Sequence, residues 1–121
     1  PIIINHAGLP ADRSREGLAR WRDAVQSISR WPQVFMKISG IGVPGQAWTA
    51  DNNREVVQTL IEAFGVDRCM FASNFPVDSL CGTFDDIFSG FETITASLGV
   101  AAQEALFRRN AIRIYDMELD T

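Results

Sequence analysis

Short apolar runs alternate along the chain with longer segments of helical period. The first run is the β-branched stretch Ile2-Ile3-Ile4, and the turn-forming residues Ala7-Gly8-Leu9-Pro10 follow it. A helix is predicted after Ser14, whose hydroxyl can cap it, because apolar residues then recur at three- and four-residue steps. Pro32 ends this helical period. The chain therefore opens with a predicted strand followed by a predicted helix.

A second cycle repeats this arrangement. Val34-Phe35-Met36-Lys37-Ile38 is predicted to be a strand, and a Gly-rich loop from Ser39 to Trp48 follows it. The next helix is expected to begin at an Asn53 cap and to end at Gly65, since Asn favours helix starts and Gly favours helix ends. Loops as long as this one are often functional.

The third cycle carries the clearest local signals. Residues 69–72 are predicted to be a strand, and Thr83 with Asp86 three residues later resembles a capping box at the start of a helix. A last helical stretch is expected from about Val100 to Arg109, with residues 111–117 as a packed tail. Three consecutive strand–helix cycles predict an α/β fold with parallel strands.

The carboxyl ends of parallel strands gather ligands and catalytic groups, and the unusual polar residues stand there. His6 is the only histidine of the chain and follows the first strand. Alternation along that strand would put His6 on the same face as Ile2 and Ile4, which we expect to be the interior of a barrel. The alternative is a histidine that only hydrogen-bonds a loop carbonyl.

Four further residues are candidates, each with a plainer alternative. Asn74 and Asp78 follow the third strand, where a polar residue can also simply stabilise a turn. Lys37 lies inside an apolar strand on the same face as Ser39, which is rare for an unpaired lysine, although it could reach solvent from an edge strand. Trp48 lies in the long loop and could stack on a ligand or pack in the core.

Composition and charge narrow the classes of partner. The 121 residues, 46% hydrophobic and 21% charged, are enough for one globular domain. The net charge of −4 argues against nucleic acid or an anionic membrane as the main partner. No apolar run approaches the roughly 20 residues that span a bilayer, and no signal peptide is visible, so we expect a cytoplasmic protein. Two cysteines provide neither a disulfide framework nor zinc-ligand spacing.

Four segments in order resemble the amidohydrolase superfamily, and specifically its predicted metal-dependent hydrolases, which include sugar-acid and dicarboxylate lactonases. They are Asn5-His6-Ala7-Gly8-Leu9-Pro10 with Asp12-Arg13 and Trp21, then Lys37-Ile38-Ser39-Gly40, then residues 64–78 with Ser73-Asn74-Phe75-Pro76, and Asn110-Ala111-Ile112-Arg113-Ile114-Tyr115. The resemblance implies that residues 1–121 are the last three strand–helix units of a TIM (β/α)8 barrel. The chain, which begins with Pro1 directly on an apolar run, is accordingly expected to be the C-terminal portion of that barrel.

The resemblance also implies roles for residues of the site. His6 stands at the family's sixth-strand histidine, a metal ligand in some branches and a group that orients water or substrate in others. Asn74 stands at the place of the eighth-strand aspartate, which normally activates the hydrolytic water. This is a departure, because a carboxamide cannot accept a proton at neutral pH, and Asp78 is a possible substitute carboxylate.

The resulting hypothesis is a hydrolase that opens a lactone, or a related ester or amide of a small organic acid, with activated water. His6 and Asn74 would be its catalytic residues, and Trp48, Lys37 and Asp78 would bind substrate. A divalent metal such as zinc is possible in the intact enzyme, with His6 as one ligand of an incomplete site. We expect no tightly bound metal and no activity in this chain alone, whose protein partner would be the missing N-terminal part or a second copy. The rivals are a decarboxylase on the same fold and a non-catalytic protein that binds a small acid.

Overall fold

A computed structural model describes residues 1–118 as a three-stranded parallel sheet with helices packed on it. The strand order is β1-β2-β3, which confirms the predicted α/β class and parallel arrangement. The elements in chain order are β1 (Ile2–Ile4), α1 (Arg15–Ile28), β2 (Val34–Ile38), α2 (Ala50–Phe64), β3 (Cys69–Phe71), α3 (Phe84–Thr95), α4 (Val100–Glu104), a π-helical turn (Ala105–Arg109) and α5 (Asn110–Ile114).

Local capping signals fix most helix starts. The Ser14 hydroxyl accepts from the Gly17 N–H at 3.0 Å, as predicted for α1. The reciprocal capping box of Thr83 and Asp86 is also confirmed. The prediction that Asn53 caps α2 is wrong, because Thr49 caps this helix, which begins three residues before Asn53. Asn53 is instead buried within the helix, where its amide donates to the Thr49 carbonyl.

The C-terminal helical segment runs further than predicted. Val100 to Ile114 is helical throughout, with a π turn in the middle, so residues 111–114 are helix and not an irregular tail. Asn110 anchors this segment to the start of β3: its buried amide donates to the carbonyls of Val66 at 2.6 Å and Cys69 at 2.7 Å. These two hydrogen bonds tie the C-terminal helical segment to the start of β3.

The two faces of the sheet differ, and the predicted interior face is wrong. Ile4 lies beside Met36 in the parallel register, and both pack into the core that the helices cover. The opposite face carries Ile3 beside Phe35, and Lys37 beside Met70, none of which belongs to that core cluster. The β-branched run has apolar residues on both faces, so its sequence alone does not reveal which face meets the helices.

Aromatic residues fill the core beside β3 and α3. Phe71 stacks on Phe91 with ring centroids 4.1 Å apart, and Trp48 meets the same ring edge-on at 5.0 Å. In the described part of the chain, no helix has both the length and the apolar character needed to cross a bilayer.

Candidate functional site

His6 lies beyond the end of β1, in the turn that follows the strand. It begins a short 3₁₀ turn with φ of 53°, so the alternation of β1 does not extend to it. Its Nδ1 atom lies 3.2 Å from the Ser39 hydroxyl at the end of β2. Nε2 has no hydrogen-bond partner among residues 1–118 and is not fully buried. A fixed Nδ1 and an available Nε2 suit a histidine that handles a proton or a ligand.

Gly40 brings the ends of all three strands together. A Cβ atom on Gly40 would stand 2.6 Å from His6 Nδ1 and 3.2 Å from Asn74 Nδ2, so the glycine lies between these two side chains. Gly40 has φ of 63° and Asn74 has φ of 53°, both in the left-handed region. Such backbone conformations are costly for non-glycine residues and concentrate at functional sites. The predicted pair His6 and Asn74 is therefore brought together in space.

Asn74 is held by the carboxylate that follows it. Its Nδ2 donates to Oδ1 of Asp78 at 3.0 Å. Asp78 is 6% exposed, and its Oδ2 is fully buried with no hydrogen-bond partner in the described residues. A Cβ on Gly42 would lie 3.3 Å from that oxygen, so the Gly-rich loop covers it. An unpaired buried carboxylate oxygen is energetically costly and is a place where a hydrogen-bond donor would bind.

No hydrogen bond within residues 1–118 joins the side chain of Lys37 or Trp48 to this cluster. Lys37 is half-buried on the sheet face that the helices leave uncovered, and within residues 1–118 it makes no hydrogen bond or ion pair. Trp48 is 5% exposed, and a Cβ on Gly90 would come within 2.2 Å of its ring. Of the two alternatives given for Trp48, this burial against α3 favours packing in the core, and a role in substrate binding stays a prediction.

Arg13 is a polar residue of this region that the sequence reasoning did not single out as functional. Its guanidinium reaches the carbonyls of Pro10 and Ile41, and so joins the loops after β1 and β2. The loops border a cleft of about 140 Å³ in which Arg13 and Gly40 both take part. The available signal was an arginine placed three residues after the Gly-Leu-Pro turn, in a loop at a strand's carboxyl end.

The chemistry of the donors tests whether a metal ion fits these residues. Within residues 1–118 no group of three or more His, Cys, Asp or Glu side chains stands close enough to hold an ion. Catalytic zinc usually has three protein ligands. His6 and the single side-chain oxygen of Asn74 provide at most two ligands, so the described residues do not by themselves fit a metal.

Comparisons with known proteins point to a single family. The family model described as Amidohydrolase matches residues 1–117. An uncharacterised protein of Sinorhizobium fredii is 43% identical over 114 residues, which cover 94% of this chain and 38% of that protein. An L-fucono-1,5-lactonase of Burkholderia multivorans is 36% identical over 126 residues, which cover 94% of this chain and 42% of the lactonase.

Solved structures show the same likeness in three dimensions. A crystal structure of an amidohydrolase from Burkholderia multivorans with bound zinc superposes with a TM-score of 0.85 at 30% identity, covering 96% of this chain and 44% of that one. The chain thus spans less than half the length of the relatives it matches.

Proposed function

Because this chain belongs to the amidohydrolase family, we propose that it is part of a hydrolase that opens a lactone or a related ester of a small organic acid. The lactonase name of one relative supports this substrate class. We propose further that the chain is the C-terminal portion of a (β/α)8 barrel, with its three strands as the last three of the barrel. A cytoplasmic location stays a prediction.

One observation carries the proposal: His6 and Asn74, which come from the first and third strand ends, flank the same point beside Gly40. His6 Nδ1 is engaged by Ser39 and its Nε2 has no partner among the described residues. Asn74 Nδ2 is engaged by Asp78 and its Oδ1 is likewise unpaired there and not fully buried. These two polar atoms, which have no hydrogen-bond partner among the described residues, lie at the same end of the sheet. They suit the binding of a water molecule or a substrate oxygen.

The proposed reaction is acyl transfer to water. The water oxygen bonds to the acyl carbon, the ring C–O bond breaks, and the released ring oxygen takes up a proton to give a hydroxy acid. His6 would move a proton through Nε2, while the Asn74 carbonyl would accept a hydrogen bond from the water or from a substrate hydroxyl. Asn74 cannot serve as the base, and one oxygen of Asp78 is engaged by Asn74 while the other is buried, so His6 would be the proton acceptor in this chain.

A metal ion bound in the complete enzyme would polarise the acyl carbonyl. His6 as a ligand of that metal would be an alternative to its proton role, because Nδ1 is engaged by Ser39 and Nε2 cannot both bind a metal and accept a proton; the further ligands would have to come from outside residues 1–118. The steps above are therefore assigned to side chains of this chain alone.

A protein that binds a small acid without catalysis is the second candidate, and the Asn74–Asp78 contact favours it. A carboxamide at position 74, fixed by a neighbouring carboxylate, gives binding geometry without a base at that position. A decarboxylase on the same fold remains the rival within enzymes, and no contact described above favours it.

Hydrolysis of L-fucono-1,5-lactone by the complete protein encoded by the gene is the direct test, with the 121-residue chain assayed beside it. We expect turnover by the complete protein, none by the isolated chain, and a loss of about 100-fold or more on His6→Ala. Gln46→Ala, an exposed position in the neighbouring loop, is the matched control. Tight binding of the lactone or its acid without turnover would favour the second candidate, and activity indifferent to His6→Ala would exclude the proposed role of His6.

A further inference from the structure

The turn that follows β1 is left-handed over four consecutive residues. Residues 6–9 have φ values of 53°, 57°, 71° and 58°, and only the third of them is a glycine. Other residues visit this region singly, because their Cβ atom then crowds the following carbonyl oxygen. Two backbone hydrogen bonds close the turn, from the Gly8 N–H to Asn5 and from the Leu9 N–H to His6. A run of this kind persists only where surrounding contacts stabilise it.

The handedness of this turn decides which way His6 points. An extended chain would continue the alternation of β1 and would place the side chain of His6 on the same face as that of Ile4. Ile4 packs against the core that the helices cover, so an extended His6 would carry its imidazole toward that apolar layer. In the left-handed turn, His6 instead brings Nδ1 to 3.2 Å from the Ser39 hydroxyl at the end of β2. The turn is therefore what brings His6 to the candidate site.

Trp21 holds the turn at its centre. Its indole Nε1–H donates to the carbonyl of Ala7 at 2.8 Å, in a buried hydrogen bond. A continued 3₁₀ turn would supply that carbonyl with the N–H of residue 10, but Pro10 has no N–H to donate. Ala7 is fully buried, and among residues 1–118 no other group donates to its carbonyl. The Ala7 carbonyl therefore depends on the indole of Trp21 for its hydrogen bond.

The donor is itself fixed by the core. Trp21 and Val25 of α1 both belong to the core cluster, and a Cβ on Gly8 would stand 3.5 Å from an atom of each side chain. A buried carbonyl that loses its donor is energetically costly. Without the indole N–H, the peptide unit after Ala7 would turn to find another donor, and the dihedral angles of the neighbouring residues would change with it. The orientation of His6 is thus linked to a hydrogen bond that His6 does not make.

We propose that Trp21 is a positioning residue for His6. Its indole N–H fixes the left-handed turn, and the turn directs the imidazole away from the helix-covered core to the end of the sheet. Within residues 1–118 no hydrogen bond joins Trp21 to His6 or to Asn74, so Trp21 acts through the backbone of the turn. The inference rests on the proposed function for the chemical task of His6, whereas the orientation of the imidazole is a property of the turn alone.

The test follows the imidazole by NMR in the 121-residue chain labelled with ¹⁵N-histidine, in which His6 is the only histidine. Magic-angle spinning records both ring nitrogens at pH 8, whatever the size of the particle. Wild-type shifts should differ from those of the urea-unfolded chain, because Nδ1 is engaged by Ser39. Trp21→Phe keeps an aromatic ring and removes the N–H, and it should move both shifts at least about halfway to the unfolded values. Unchanged shifts in this variant, or wild-type shifts equal to the unfolded ones, would overturn the proposal.

Trp31→Phe is the matched control. Trp31 is 61% exposed, and within residues 1–118 its indole makes no hydrogen bond, so the shifts of His6 should stay at their wild-type values. An equal change in Trp31→Phe would assign the effect to the loss of any indole and contradict the proposal. If Trp21→Phe does not fold, replacement of Trp21 by benzothienylalanine decides, since that residue keeps the shape of the indole and lacks only its N–H. Wild-type shifts of His6 with that replacement would overturn the role of Trp21.

Kinetics of the complete protein encoded by the gene separate this inference from the proposed function. Trp21→Phe should lower kcat for L-fucono-1,5-lactone about tenfold or more and leave KM within about twofold, because a displaced proton acceptor slows the chemical step more than binding. An unchanged kcat beside displaced His6 shifts would retain the positioning by Trp21 and remove the catalytic role of His6. Absence of turnover by the wild-type protein would remove the hydrolase function, and the NMR shifts would still decide whether Trp21 positions His6.

Discussion

The side-chain amide of Asn74 donates to Oδ1 of Asp78 at 3.0 Å, and the second carboxylate oxygen of Asp78 is buried without a partner in the described residues. Because Oδ1 of Asp78 accepts this hydrogen bond, the NH₂ group of Asn74 is turned toward position 78. The carbonyl oxygen of Asn74 is therefore the atom presented to a ligand. The carboxyl group at this strand end therefore lies four residues beyond the position at which the family resemblance implies an aspartate.

Asn74→Asp should destabilise the chain by about 1–3 kcal/mol, because it removes a donor and puts two carboxylates in contact. The exchanged variant Asn74→Asp with Asp78→Asn should recover most of that loss, since one carboxylate again faces one carboxamide. Urea unfolding at pH 7 measures both. A double variant as unstable as the single one would show that the contact contributes little.

Asn110→Ala should cost about 2–3 kcal/mol of unfolding free energy, because the carbonyls of Val66 and Cys69 would both lose a buried donor. Asn52→Ala is the control: that amide is exposed and bonds only the Ala47 carbonyl, so the change should stay near zero. Chemical denaturation of the two variants gives the comparison. Equal effects would mean that the C-terminal helix is held by its apolar contacts alone.

Stability should fall as the pH rises above 9, owing to Cys69. Burial raises the pKa of the Cys69 thiol from 9.0 to about 12. The unfolded chain then loses its thiol proton at a lower pH than the folded chain does. The stabilisation is complete well below pH 9 and is lost as the pH rises from 9 toward 12, with about 1.4 kcal/mol gone by pH 10.

Urea unfolding between pH 8 and pH 10.5 tests the contribution of Cys69, with Cys69→Ala as the reference that lacks this proton. The wild-type chain should lose more stability than the variant over that interval. Parallel pH curves would assign the loss to other groups.

Cys81, which is only partly buried, should react with a thiol reagent in the folded chain while Cys69 does not.

Association of the isolated chain is expected from its sheet. β1 and β3 are the outer strands, and in the described residues nothing pairs with their far edges. Ile3 and Phe35 lie on the face outside the core cluster. Such edges and faces pair with further chains. Light scattering at micromolar concentration should show species larger than 13.4 kDa.

Ile3→Lys should reduce this association, since a charged residue on an edge strand opposes pairing. Val100→Lys is the matched control, because Val100 is 81% exposed on α4, outside the sheet. A sharp 13.4 kDa species with cooperative unfolding in the wild-type chain would contradict the prediction and show that three units suffice as a domain.

The sequence by itself determined the features that depend on neighbouring residues. The bounds of β2, the Ser14 cap and the Thr83–Asp86 box follow from side chains within a few positions of each other, and the structure confirms them. The prediction that Asn53 caps α2 was wrong because Thr49 is also a good capping residue. Only the tertiary structure separates the two, since Asn53 is buried and accepts a hydrogen bond from Arg13.

Tertiary structure decided the face of the sheet and the makeup of the site. An apolar strand such as β1 has no polar side, so the helices that pack on it select the core face. The approach of His6 and Asn74 across Gly40, and the reach of Arg13 to Ile41, join residues at least 28 positions apart in the chain. Those contacts form only when parallel strands bring their carboxyl ends to the same end of the sheet. Local propensity contains no information about that long-range arrangement.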